Sequence, residues 1–190
     1  MTLDLIGLDL SLTSTGICVG DTTDALATNS KGVERLEWLQ AVITDRVLEV
    51  ENPAVCIEGY SYGSRNSQAH AIGELGGVVR LALWKRRIPW VDIPPTCRAK
   101  FATGKGNAGK NEVVSAISAR TGIVWSGKGA DDMCDAWILR EMGLAHFNRS
   151  NFNWPQINLT SLQNIDWSAF DAYDQPNLLT TVLEQNEQAN

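Results

Sequence analysis

The chain has no apolar run near the roughly 18 residues that a membrane-spanning helix needs, so no span is expected. Its first residues, MTLDLIGLDLSL, lack a basic segment and carry Asp4 and Asp9, which argues against a signal peptide. No C-x-x-C pair occurs among the four cysteines, Cys18, Cys56, Cys97 and Cys134. They read as small buried hydrophobes in a reducing cytoplasm, the expected location, rather than as disulfides. Histidine is scarce. His70 and His146 stand alone outside any motif and are expected to be ordinary helix residues. Positive charge is in deficit, with 16 Lys and Arg against 22 Asp and Glu and a net charge of −6.

That deficit argues against a nucleic-acid partner only until its distribution is read. Residues 1–58 hold 3 basic and 10 acidic groups, residues 59–128 hold 11 and 3, and residues 129–190 hold 2 and 9. A middle of +8 between flanks of −7 is a candidate footprint for a polyanion, because Lys and Arg there release counterions from phosphates. The alternative is a solvated basic surface.

The glycine-rich stretch GKGNAGKN at 104–111 has the spacing of a phosphate-binding P-loop, G-x-x-x-x-G-K-[ST], but Asn111 replaces the magnesium-binding hydroxyl. A P-loop also needs a strand before it. Here a helix is expected before it, so the stretch reads as a basic loop whose amides and lysines meet phosphates.

The periodicity predicts strands over 3–9, 14–20, 24–29, 54–58 and 88–93. Helices are expected over 33–50, 67–87, about 94–101, 111–120 and 130–146. A meander of three strands followed by α/β units gives an α/β fold of the ribonuclease H-like layout. Its mixed five-stranded sheet has three antiparallel strands, then two parallel, with helices on both faces. Residues 1–146 are expected to form this α/β domain. Residues 147–190 form a polar extension that docks in places through Phe152, Trp154, Trp167, Phe170 and Tyr173.

Several carboxylates sit where carboxylates are costly. Asp9 lies among Ile6, Leu8, Leu10 and Leu12, and Glu58 ends the apolar run Val55-Cys56-Ile57. Asp131, Asp132 and Asp135 crowd one helix start, and Asp132 and Asp135 share a face. Capping of the helix accounts for one of the three. A hard divalent cation, Mg²⁺ or Mn²⁺, would relieve the repulsion. With the first and fourth strands side by side, Asp9 and Glu58 become neighbours. A helix crossing that end would add Asp132 and Asp135. Such a set can hold two cations about 3.5–4 Å apart for phosphodiester hydrolysis. The competing reading is scattered structural carboxylates.

Taken together, I-G-L-D-L-S-L-T-S-T-G at 6–16, I-E-G-Y at 57–60 and D-D-M-C-D-A at 131–136 resemble the three acidic motifs of RuvC-like Holliday junction resolvases, the phage-encoded branch above all. T-G-K-G-N-A-G-K-N-E-V at 103–113 resembles the family's segment before a lysine-bearing helix. The resemblance runs from about residue 3 to 146, in order. It implies a homodimeric, Mg²⁺-dependent endonuclease that nicks two strands of a four-way DNA junction, leaving 5′-phosphate and 3′-hydroxyl ends. The metal-binding carboxylates map to Asp9, Glu58, Asp132 and Asp135, with Asp131 the ligand if the register is off by one.

The resemblance also makes Lys110 a basic residue near the active site, with Lys105, Arg98 and Lys100 gripping the DNA backbone. An aromatic wedge is expected three residues after the glutamate. Ser61 stands there, flanked by Tyr60 and Tyr62, either of which can stack on an exposed base, with Arg65 in the same loop. The Ala/Gly-rich helix over 67–83 resembles the family's dimer helix. Three rivals use the same residues: a nuclease of the same fold that cuts flaps, forks or RNA–DNA hybrids, a non-catalytic junction-binding or structural protein with a decayed site, and an actin-like nucleotide phosphotransferase, whose first phosphate motif D-L-S-L-T-S-T-G resembles. The last needs a second phosphate loop that this sequence lacks.

Overall fold

The computed structural model describes residues 2–60 and 68–174. Strands β1 (Asp4–Asp9), β2 (Thr15–Val19) and β3 (Thr22–Leu26) form the meander, and β4 (Pro53–Glu58) and β5 (Trp90–Ile93) complete the sheet. The order is β3-β2-β1-β4-β5. The first three strands are antiparallel, whereas β4 runs parallel to β1 and β5 parallel to β4. This is the expected mixed five-stranded α/β sheet. The third strand starts earlier than its periodicity suggests. Gly20, at φ 56°, turns the chain in two residues, so Thr22 and Thr23 pair with Val19 and Cys18 instead of forming the connection.

Period-two alternation divides the sheet between two cores. Ile6, Leu8, Ile17, Val55 and Ile57 pack on one face with α1 (Gly32–Val47) and α2 (Gln68–Lys85), through Leu39, Ile43, Leu75, Val79 and Leu83. Leu5, Cys18, Ala54, Cys56 and Ile93 face the other side. There α3 (Pro95–Thr103), α4 (Lys110–Thr121) and α5 (Ala130–His146) contribute Phe101, Ile117, Ile138 and Met142. All four cysteines are free and buried, and burial pushes the Cys18 and Cys134 thiols up to about 12, so they act as hydrophobes.

Helix α5 lies hard against the sheet because two strand positions carry no side chain. A Cβ on Gly7 would sit 1.8 Å from the Ala136 carbonyl oxygen, and one on Gly16 would sit 2.0 Å from that of Asp132. After α5 the chain packs on the same face through α6 (Gln156–Leu159), a 3₁₀ turn (Thr160–Asn164) and α7 (Ser168–Asp174). Trp154, Ile165, Trp167 and Phe170 are buried there. No helix among the described residues is long and apolar enough to cross a membrane.

Candidate active site

The parallel register sets Leu8 beside Ile57. The next rung therefore brings together Asp9, the last residue of β1, and Glu58, the last of β4. Alternation turns both toward the α5 side, with Leu5, Gly7 and Cys56. Across the hairpin Asp9 pairs with Gly16, the residue on which the Asp132 backbone rests. The glycine thus seats the first turns of α5 over the carboxyl end of β1 and brings Asp135 in from above. Gly129, at φ 80°, is the N-cap of this helix, so neither Asp131 nor Asp132 caps it. Both lie in its first turn, where the helix dipole favours carboxylates.

Asp9 is 7% exposed and Asp135 3%. Burial pushes the Asp9 carboxyl well above the usual range, reinforced by the Glu58 charge, by a side-chain hydrogen bond with Glu58 and by the Asp135 charge. Burial pushes Asp135 up to about 7, with Arg98 opposing the shift and Glu58 adding to it. The compensating cation is Arg98, in the first turn of α3. Its Nε donates to Glu58 Oε1 at 2.6 Å and its Nη1 to Asp135 Oδ1. Burial works against the Arg98 charge, but Glu58 and Asp135 outweigh it and hold the group above its ordinary value.

Lys110 opens α4 and crosses to α5. Its Nζ lies 2.6 Å from Asp131 Oδ2 and 3.7 Å from Asp132 Oδ1. The hydrogen bond to Asp131 raises the Lys110 ammonium above its usual value and lowers Asp131 below its own. A groove of about 420 Å³ opens beside this pair, lined by Lys110, Asn111, Ser115, Gly127 and Asp131.

The four expected metal carboxylates thus collect at one corner, but three of them face cations of the chain itself. Glu58 and Asp135 turn to Arg98, and Asp132 lies nearest Lys110. Among the described residues no three His, Cys, Asp or Glu side chains stand as a ready metal-holding group. The donor chemistry fits a hard cation nevertheless. The set is all carboxylate, and Asp9, buried beside Glu58 and Asp135, has no salt bridge of its own among the described residues.

The remaining expected residues are spread more widely. Arg98, expected as a surface grip on DNA, has a side chain only 11% exposed and is committed to two carboxylates. Lys105 is exposed and pairs with Glu112 at 3.1 Å. Lys100 is half-buried on α3. The stretch GKGNAGKN joins two helices: Gly104, at φ 83°, ends α3, and Lys110 begins α4. Tyr60 is laid across α2, its hydroxyl 3.1 Å from Arg80 Nη1, with the Arg80 guanidinium 4.9 Å above its ring. Tyr62 and Arg65 lie outside the described residues.

Sequence reasoning missed the glycines that seat α5. The available signal was an isolated glycine inside an apolar strand, which marks close backbone approach. It also missed the brace behind Arg98. Trp154 lies 4.2 Å from the Phe101 ring, and the buried Asn158 amide donates to the Phe101 carbonyl at 2.6 Å, tying α3 to the segment after α5.

No protein-family model and no curated protein matches the sequence. Solved structures do match the fold. The Thermus thermophilus RuvC structure superposes with a TM-score of 0.60 at 18% identity, over 78% of this chain and 99% of that one. T. thermophilus RuvC in complex with Holliday junction substrate gives 0.62 at 20% identity, over 78% and 98%. The chain therefore has the RuvC-like, ribonuclease H-like fold.

Proposed function

We propose that the chain is a divalent-metal-dependent endodeoxyribonuclease that resolves four-way DNA junctions by paired nicks, in the manner of the phage-type resolvases its motifs resemble. The observation that carries this reading is the meeting of Asp9, Glu58 and Asp135 at the carboxyl ends of β1 and β4, on a fold shared with a protein solved on a Holliday junction. Asp9, Glu58, Asp132 and Asp135 would hold the Mg²⁺ or Mn²⁺ ions, two per site. Asp132 is favoured over Asp131 because its side chain is 14% exposed beside the seated turn, whereas that of Asp131 is 42% exposed. The cations would supply charge to activate water and to stabilise the leaving 3′ oxygen. Lys110 stands at the rim of the groove, where a phosphate can replace its aspartates. Lys100, Lys105, Tyr60, Tyr62 and Arg65 complete the proposed DNA-binding set.

A homodimer through α2 belongs to the same proposal. Leu81 and Trp84 are 50% and 67% exposed on one stripe of that helix, and a Cβ on Gly77, in the same stripe, would meet nothing within 4 Å. An intramolecular reason for these residue types is therefore lacking among the described residues.

The test is cleavage of an end-labelled four-way junction in Mg²⁺, Mn²⁺ or EDTA, beside Asp9→Asn, with linear duplex, flap and fork controls. Metal-dependent paired nicks with 5′-phosphate and 3′-hydroxyl ends, lost in the variant, are expected. Equal cutting of flaps and forks would keep the site but widen the substrate to branched DNA. Normal cutting by Asp9→Asn would sink the metal assignment. Nucleotide hydrolysis without DNA binding would move the chain to the actin-like class.

A further inference from the structure

We propose that Arg98 is the resident counter-ion of this site, competing with the divalent cation for Glu58 and Asp135 and swinging out when the cation loads. The inference rests on the nuclease reading above. An arginine placed to grip DNA would present its guanidinium to solvent. Arg98 instead has two arms engaged on two carboxylates from different elements, β4 and α5. Nor does its position in the first turn of α3 explain it, because the positive end of a helix dipole disfavours a cation there. The carboxylates alone account for its placement.

Glu58 and Asp135 oxygens that accept from Arg98 have the same lone pairs a cation would use. A guanidinium is always charged, so Arg98 cannot yield by losing a proton. A dication a few ångströms away would repel it. The helix beneath it is not the moving part. Phe101 is fully buried on Trp154, and Asn158 holds the Phe101 carbonyl. The change falls to the long side chain of Arg98, whose displaced fork matches a phosphodiester oxygen pair. Metal loading and backbone capture would then be one exchange: the cation takes the carboxylates, and Arg98 is released to the DNA phosphate.

The experiment is Mn²⁺ binding to the full chain without DNA, read by electron paramagnetic resonance of free Mn²⁺, for wild type, Arg98→Gln, Arg98→Lys and Asp9→Asn. Melting is recorded in EDTA and in Mn²⁺. Arg98→Gln should bind Mn²⁺ about tenfold more tightly or better, since one opposing charge within a few ångströms is worth at least that ratio. It should melt below wild type in EDTA and recover that deficit in Mn²⁺. Should Arg98→Gln fail to fold, Arg98→Lys decides. A single ammonium holds the two carboxylates less well than the fork, so several-fold tighter binding is expected. Unchanged or weaker Mn²⁺ binding by a folded variant, with binding lost in Asp9→Asn, would overturn the role given to Arg98 and leave the metal reading intact. No saturable Mn²⁺ binding to any form, wild type included, would overturn both.

Discussion

Gly7→Ala puts the seating of α5 to a quantitative test. The added methyl would lie 1.8 Å from the Ala136 carbonyl oxygen and 2.7 Å from the Arg140 nitrogen. Real Cβ atoms essentially never come closer than 3.0 Å to such atoms, so helix and strand must separate by at least 1.2 Å, the difference between 3.0 and 1.8. Both obstacles are backbone, and no side-chain rotation can absorb the movement. Overpacking of this kind costs about 1–3 kcal/mol or more. In a chain of this length each kcal/mol moves the melting point by roughly 2–4 °C, so a fall of roughly 2–12 °C is expected. Because α5 carries Asp132 and Asp135, a shift of about 1 Å should also cost cleavage on the order of a hundredfold. The control is Val33→Ala at the start of α1, a side chain 79% exposed, where a surface substitution changes stability by no more than about 0.5 kcal/mol. Circular-dichroism melting and initial cleavage rates measure both. A Gly7→Ala protein melting within a degree of wild type and cutting at full rate would refute the close approach of α5.

Glu141 is buried and accepts from Trp154 Nε1, and burial raises its carboxyl above the ordinary 4.5. Its contribution to stability is present below the unfolded value and is lost as pH rises through the folded one. Glu141→Gln should therefore gain melting temperature over wild type at pH 8 and little at pH 4. A gap between the two proteins that is independent of pH would contradict this. Lys110→Ala should leave melting nearly unchanged, since its aspartate pair is exposed. Its junction affinity, measured across a salt series, should lose about 0.9 from the log–log slope if Lys110 meets one phosphate. Trp84→Glu on the open stripe of α2 should convert a dimer to a monomer in sedimentation velocity, and an unchanged sedimentation coefficient would remove α2 from the interface.

Much of this fold was legible locally. The alternation of LDLIGLD and the 3.6-residue spacing of the helices mark elements because backbone geometry presents side chains at those periods whatever packs on them. Asp9 and Glu58 were legible as carboxylates out of place in apolar strands, and three aspartates in five residues stood out at one helix start. Their meeting was an inference from strand order. Only the tertiary structure decided that Asp9 and Glu58 share a face and a rung, because that depends on the β1–β4 register. It also decided that Asp132 turns inward while Asp131 faces Lys110, a matter of how α5 is rotated on Gly7 and Gly16. Arg98 is the clearest case. In sequence it is one of eleven basic residues in the central stretch, indistinguishable from its neighbours. Its burial between Glu58 and Asp135 follows from contacts 40 and 37 residues away along the chain, which no local pattern encodes.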